Sequence, residues 1–195
     1  MNLRKITWSQ ISTALLFLFV VALLYSPRLK SWVIMGLMTI GFFKPDIPQP
    51  KPGDKPEPVP AMLVHNTDGK RVDLQQQKGK VVFINFWATW CPPCLAELPS
   101  VNALYQKVKT DTNVVFITVD VDNDLIKSTQ FIHNKGYTFP VYGGSPADVP
   151  DKFYSNGIPT TLVVDKKGNI VFSHFNRANY DDQAFTEFIS ELAKQ

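Results

Sequence analysis

The chain has 195 residues and a formal net charge of +3, with 45% hydrophobic residues. The positive charge is small and scattered, and no lysine or arginine cluster accompanies aromatic residues, so no nucleic-acid partner is expected. The first sixty residues differ sharply in composition from the rest. Residues 61–195 remain for one domain with one hydrophobic core.

An uncharged apolar run opens the chain. Residues 6–25 contain no charged side chain and number about 20, the length that a helix needs to cross a bilayer. No small-residue cleavage pattern follows the run, which favours an uncleaved signal anchor over residues 1–30. Arg4 and Lys5 precede it and favour a cytoplasmic N-terminus, with the rest of the chain outside the cytoplasm.

A second apolar run, residues 31–43, is interrupted by Gly36 and Gly41. It is too short for a full crossing, so we expect an interfacial helix with Trp32 and Phe42 at the level of the lipid headgroups. The alternative is a second membrane span, which would return the remaining chain to the cytoplasm.

Residues 44–60 contain seven prolines. Such a segment cannot form a helix or a central strand, and it predicts an extended, semi-rigid linker between membrane and domain.

The domain alternates strand and helix patterns. Continuous apolar runs predict buried strands, and apolar residues at helical spacing predict amphipathic helices. In chain order we expect a hairpin around Asp68-Gly69, a strand over 80–86, a helix over 94–109 containing Pro99, a strand from Asn113, a helix from Asn123 or Asp124 to Asn134, a short strand within 138–144, a short turn or helix over 149–157, two antiparallel strands over 161–165 and 169–175, and a last helix beginning near Asp181-Asp182. These elements predict an α/β fold with a mixed sheet flanked by helices.

The chain has two cysteines, in the stretch FWATWCPPC at residues 86–94. A structural zinc site needs four ligands, and the three histidines are scattered without ligand spacing, so no metal site is expected. Covalent haem attachment requires histidine directly after the second cysteine, where Leu95 stands. A disulfide closing so short a loop would stabilise the fold little, because the stabilisation grows with loop length.

A redox dithiol fits best, because the pair lies where a buried strand runs into a helix. The helix N-terminus favours thiolate over thiol, so Cys91 is the predicted nucleophile. Cys94, one turn further in and more shielded, is the predicted resolving thiol. Pro92 and Pro93 suit the first helical positions, where N–H groups have no intrahelical partner, although they remove two amides that would solvate the sulfur.

These residues resemble the active-site stretch of thioredoxin-like proteins, specifically the membrane-anchored, extracytoplasmic thiol-disulfide oxidoreductases of the TlpA/ResA kind. The resemblance covers nearly all of residues 61–195, and Pro99 matches the family's helix-kinking proline. It implies a thioredoxin-like fold preceded by a membrane anchor, with Cys91 and Cys94 as a redox disulfide and no bound cofactor.

The resemblance also implies supporting roles. Pro159 matches the cis proline that faces the cysteines, and the backbone of Ile158 would pair with the substrate chain. Asn85 replaces the buried aspartate of thioredoxin and cannot accept a proton. Glu97 matches a glutamate that the family has three residues after the second cysteine. One helical turn from Cys94, its carboxylate would relay the proton of the thiol or raise the pKa of the thiol by like-charge repulsion. From the sequence alone, Glu97 is equally well an acid that complements the helix dipole.

Both tryptophans of the stretch are open to two interpretations. We expect Trp87 in the core and Trp90 at the surface, where it would shield the sulfurs and touch the substrate.

The resulting hypothesis is a membrane-tethered protein-disulfide reductase in the bacterial cytoplasmic membrane, single-pass, with its domain on the extracytoplasmic side. Its expected partners are disulfide-containing proteins, apocytochrome c among them by resemblance, and a membrane electron donor that re-reduces the dithiol. A copper-binding assembly factor and a thiol peroxidase remain alternatives. The motif leaves open whether the protein reduces, oxidises or isomerises disulfides.

Overall fold

The computed structural model describes residues 8–26, 33, 45–47, 56–145 and 147–195. The first helix, α1, spans Trp8–Tyr25 within the apolar run. Within the described ranges, no helix is both long enough and apolar enough to cross a membrane. The predicted interfacial segment, including Trp32 and Phe42, lies outside the described residues except for Val33.

The domain is built on a five-stranded mixed sheet. The strands and helices are β1 (Leu63–His65), β2 (Arg71–Asp73), β3 (Val81–Trp87), α2 (Pro92–Val108), β4 (Val114–Asp120), α3 (Leu125–Asn134), β5 (Val141–Tyr142), β6 (Thr160–Val164), β7 (Ile170–Phe175) and α4 (Gln183–Lys194). The order across the sheet is β5-β4-β3-β6-β7, and β1 and β2 form a separate hairpin. Strands β3, β4 and β5 are parallel, whereas β6 is antiparallel to both β3 and β7. The predicted mixed α/β sheet is confirmed.

Strand β3 is buried along its whole length, with no exposed residue from Val81 to Trp87. Because side chains alternate along a strand, Val81, Phe83 and Trp87 belong to the core on one side of the sheet, together with residues of α2 and α4. The intervening residues Val82, Ile84 and Phe86 belong to the core on the other side, together with the β1–β2 hairpin. The continuous apolar run therefore reflects burial on both faces.

Helix starts follow the capping residues. The Asp124 carboxylate accepts a hydrogen bond from the backbone N–H of Lys127 and caps α3, while Asn123 takes a positive φ of 55° in the preceding turn. The Asp182 carboxylate accepts from the N–H of Ala184 and caps α4. Of the two residues expected to start α3, Asp124 is the cap.

The end of the proline-rich segment is joined to the domain. The N–H of Val59 donates to the carbonyl of Gly168 at 2.9 Å, and the N–H of Ile170 donates to the carbonyl of Glu57 at 2.8 Å. Val59 is 7% exposed and contributes to the core. Pro58 is tolerated between these bonds because the pairing is at a sheet edge, where a missing N–H faces solvent. The ordered domain thus includes residues that the sequence assigns to the linker.

Candidate active site

The two cysteines lie at the junction of β3 and α2, at the edge of the sheet where the parallel strands end. Cys91 is the N-cap of α2, and Pro92 and Pro93 occupy the first helical positions. The structure joins Cys91 and Cys94 in a disulfide with an S–S distance of 2.04 Å. The predicted pairing is therefore present in the oxidised form of the protein.

The backbone surrounds the Cys91 sulfur with one N–H donor and one carbonyl. The N–H of Cys94 donates to Cys91 Sγ at 3.2 Å, and the carbonyl oxygen of Ile158 lies 3.8 Å from the same sulfur. Since both prolines lack an N–H, the Cys94 amide is the first donor that the helix N-terminus offers to this sulfur. The same amide would stabilise a Cys91 thiolate after reduction.

Cys91 is 3% exposed and Cys94 is fully buried. This agrees with the predicted order of shielding, in which Cys94 is the more protected sulfur. The Ile158–Pro159 peptide bond is cis, as the resemblance implies, and its loop lies beside the sulfur of Cys91.

Glu97 is a fully buried carboxyl group one helical turn after Cys94. Its Oε1 accepts a hydrogen bond from Asn85 Nδ2 at 2.7 Å, and its Oε2 accepts from the backbone N–H of Ala178 at 3.1 Å. Burial raises its pKa from 4.5 to about 8, against the lowering effect of these two hydrogen bonds. A carboxyl group with this pKa carries little negative charge at neutral pH, which disfavours the interpretation of Glu97 as an acid that complements the helix dipole.

Asn85 connects Glu97 to the strand that follows the cis proline. Its Nδ2 also donates to the hydroxyl of Thr161 at 2.9 Å, and Asn85 and Thr161 face each other in the β3–β6 register. Asn85 acts here as a hydrogen-bond donor to the carboxyl group, as expected of an amide that cannot accept a proton.

The two tryptophans have the predicted locations. Trp87 is fully buried, whereas Trp90 is 60% exposed directly before Cys91. The indole N–H of Trp90 donates to Asp122 Oδ2 at 2.6 Å, which ties the active-site loop to the loop after β4.

In the described part of the chain, no group of three or more His, Cys, Asp or Glu side chains is placed so that it could hold one metal ion. Glu97 is the acidic residue nearest to the cysteines along the chain, and each of its carboxyl oxygens accepts one of the hydrogen bonds described above.

Sequence reasoning missed Thr161, Ala178 and Asp122 as neighbours of the site. Thr161 and Ala178 reach Glu97 and its partner from β6 and from the loop after β7, at sequence separations of 76 and 81 residues. The position of Asp122 could have been predicted, because residues that follow the carboxyl ends of two neighbouring parallel strands lie close together, and Asp122 follows β4 as Trp90 follows β3.

A disulfide at the first turn of a helix, within a mixed sheet of this order, defines the class of thioredoxin-like thiol-disulfide oxidoreductases. The Redoxin family model matches residues 51–186. The thiol-disulfide oxidoreductase ResA of Bacillus thuringiensis (strain Al Hakam) is 37% identical over 113 residues, 58% of this chain and 65% of that protein. ResA of Halalkalibacterium halodurans is 31% identical over 132 residues, 68% of this chain and 73% of that protein.

Solved structures of thiol-disulfide exchange proteins also superpose on this chain. A putative thiol:disulfide interchange protein DsbE from Chlorobium tepidum superposes with a TM-score of 0.60 at 25% identity, covering 72% of this chain and 98% of that one. A putative protein disulfide isomerase from Bacteroides thetaiotaomicron gives a TM-score of 0.63 at 29% identity, covering 73% of this chain and 91% of that one. The chain belongs to the Redoxin family, within the group of thiol-disulfide oxidoreductases that includes ResA.

Proposed function

We propose that the protein is a membrane-tethered protein-disulfide reductase that acts outside the cytoplasm. The observation that carries this proposal is the Cys91–Cys94 disulfide at the N-terminus of α2, with the buried carboxyl group of Glu97 one turn further on. A disulfide that closes so short a loop stabilises a fold little, so its value lies in being opened and closed.

The reaction begins with the reduced dithiol. The Cys91 thiolate attacks one sulfur of a substrate disulfide and forms a mixed disulfide, while the other substrate sulfur leaves as a thiolate and takes a proton. Cys94, after passing its proton to Glu97, then attacks Cys91 Sγ and releases the second substrate sulfur as a thiolate, which takes a proton from solvent. The substrate has gained two electrons and two protons, and Cys91 and Cys94 are again joined as in the structure.

In the second step Glu97, ionised in the dithiol form, accepts the proton of Cys94 and then keeps it, in agreement with its pKa of about 8 in the disulfide form. A carboxyl group with a pKa of about 8 matches a thiol of ordinary pKa near 8.5, so transfer between them is nearly balanced in free energy. Asn85 and the Ala178 N–H hold the carboxyl group in place, and no bound cofactor takes part.

The substrate chain lies across the cis-proline loop. Ile158 would pair with it through its backbone, as the family resemblance implies, since its carbonyl is already beside the Cys91 sulfur. Trp90 is exposed next to the nucleophile and is available for contact with the substrate.

The proposed location rests on the sequence. Residues 6–25 form an uncharged run of about 20 residues, preceded by Arg4 and Lys5, although α1 as described does not by itself meet the length and apolarity of a membrane span. In an oxidising compartment a membrane electron donor must re-reduce the pair. The relatives named above are ResA proteins, and by that resemblance apocytochrome c is the leading substrate.

Two cysteine variants test the proposal. We expect Cys94→Ser to accumulate a mixed disulfide with its substrate, because the resolving thiol is gone, and Cys91→Ser to lose both trapping and insulin reduction. Both are measured by non-reducing electrophoresis and by an insulin turbidity assay. Normal insulin reduction by Cys91→Ser would contradict the assignment of the nucleophile.

A further inference from the structure

At the edge of the sheet where the disulfide lies, the connections of four adjacent strands, β4, β3, β6 and β7, are neighbours, and β5 lies beyond β4. The β-register places Asp120 beside Trp87, Phe86 beside Thr160, and Thr160 beside Phe175. The order along this edge is therefore the loop after β4, the cysteine loop after β3, the cis-proline loop before β6, and the end of β7. A chain that crosses Cys91 perpendicular to the strands meets all four.

An exposed carboxylate marks one end of this edge. Asp122 is exposed, and its Oδ2 accepts the indole N–H of Trp90 at 2.6 Å, which fixes the carboxylate beside the residue that precedes Cys91. Among the described residues, the Asp122 side chain has no ion-pair partner and no second hydrogen bond, so Oδ1 is available. Residues 121–124 include a second exposed acid, Asp124, and no basic residue.

An exposed aromatic ring marks the other end. Phe175 is 47% exposed at the last position of β7. A side chain at Gly157 would meet the Phe175 ring at 3.0 Å, which places the ring against the cis-proline loop. Gly157, with a φ of +114°, permits this close approach.

The two ends lie at a distance that an extended chain can bridge. With strands about 4.8 Å apart, the three steps from β4 to β7 cover about 14 Å, or four to five extended residues. Cys91, in the loop that follows β3, is one strand spacing from the acidic end and two strand spacings from the aromatic end.

Resting on the function proposed above, we propose that Asp122 and Phe175 are specificity-determining residues for the substrate polypeptide. The surface takes an extended chain with a basic side chain within two residues of the reacting cysteine and an apolar side chain about three residues away on the opposite side. The carboxylate pairs with the basic side chain, and the ring packs on the apolar one.

The test uses full-length reduced protein in an uncharged detergent and short peptides that each hold one intrachain disulfide. The peptides differ only in having Lys, Ser or Glu two positions before, or two positions after, the first cysteine. The second-order rate constant of reduction is measured at low salt. At one of the two positions, before or after the cysteine, we expect the Lys peptide to be reduced about two- to fivefold faster than the Glu peptide. This ratio of the Lys and Glu rate constants is expected to shrink in high salt.

Variants assign the preference to its residues. Asp122→Asn keeps an acceptor for Trp90 but removes the charge, so its Lys-to-Glu ratio is expected to fall to about one. Asp111→Asn makes the same charge change at the other edge of the sheet, where Asp111 accepts a hydrogen bond from the N–H of Asn113, and is expected to keep the wild-type ratio. A second peptide series carries Leu or Ser three positions from the first cysteine on the opposite side; the wild type is expected to reduce the Leu peptide faster, and Phe175→Ser is expected to remove this preference.

Equal rates for Lys and Glu peptides in the wild type, or an unchanged ratio in Asp122→Asn, would overturn this inference while leaving the reductase function intact. If the wild type reduced none of the peptides, the proposed function itself would be refuted.

Discussion

Glu97 shows how far the surroundings of one side chain decide its chemistry. In the sequence it is an acid near the start of a helix, but in the fold it is fully buried and held by Asn85 and the Ala178 N–H. Burial raises its pKa to about 8, so the carboxyl group carries a proton at neutral pH in the disulfide form. The group can therefore exchange a proton with a thiol, whereas an exposed glutamate would stay ionised.

The raised pKa predicts a pH-dependent stability. The unfolded chain loses the Glu97 proton near pH 4.5, whereas the folded protein keeps it until about pH 8. The free energy of unfolding is thus expected to fall as pH rises between these values, by about 1.4 kcal/mol per unit at most. Glu97→Gln should remove this slope in urea unfolding of the oxidised protein.

Asp120 gives the control for that measurement. Burial also raises the pKa of its carboxyl group, which contributes a slope of the same sign in both proteins. The difference in slope between wild type and Glu97→Gln therefore reports on Glu97 alone. If the free energy of unfolding had the same pH dependence in both proteins, the Glu97 carboxyl group would be ionised in the folded protein.

At the level of the element, α2 begins at Cys91, the predicted nucleophile. The Cys91 sulfur takes the place of the oxygen that usually caps a helix, and it accepts the N–H of Cys94. The two prolines withhold the N–H groups of the first two helical positions, so the helix stabilises a thiolate less than it would with other residues there. This arrangement favours the disulfide relative to the dithiol, as the proposed reductase function requires.

Pro93→Ala restores one N–H near the sulfur. We expect it to stabilise the Cys91 thiolate and to make the reduction potential less negative by about 10–20 mV, because a helix-end interaction contributes roughly 0.3–1 kcal/mol. The potential is measured by equilibration with glutathione. Pro60→Ala, outside any helix, is the control and should leave the potential unchanged; a more negative potential in Pro93→Ala would refute the capping argument.

At the scale of the whole molecule, the folded unit begins before the residue at which the proline-rich composition ends. Val59 is buried, and backbone hydrogen bonds join residues 57–59 to Gly168 and Ile170. Residues 57–59, the last part of the predicted linker, are therefore fixed on the edge of β7.

Val59→Ala tests this boundary. Loss of buried methyl groups at a peripheral core position is expected to lower the free energy of unfolding by about 1–2 kcal/mol. Leu63→Ala is the matched control, since Leu63 is 37% exposed and should cost less. Both free energies of unfolding are measured with denaturant. If the two variants lost the same amount, the folded domain would begin after Val59.

The sequence predicted what local patterns determine. The buried strands follow from apolar runs such as residues 81–87, and the cysteine pair and its helix follow from one contiguous motif. The partners of Glu97 could not be predicted, because Ala178 meets it only when the loop after β7 closes on α2. The same holds for the end of the linker, whose pairing depends on a free edge of β7 that composition does not reveal.

In the function proposed here, Cys91 and Cys94 form a dithiol couple that reduces protein disulfides. The most direct test is the reduction potential of this couple, measured by equilibration with defined ratios of reduced and oxidised glutathione. We expect a value in the range of reducing proteins, about −230 mV or below; a value near −120 mV, typical of strong oxidants, would contradict the proposed reductase function.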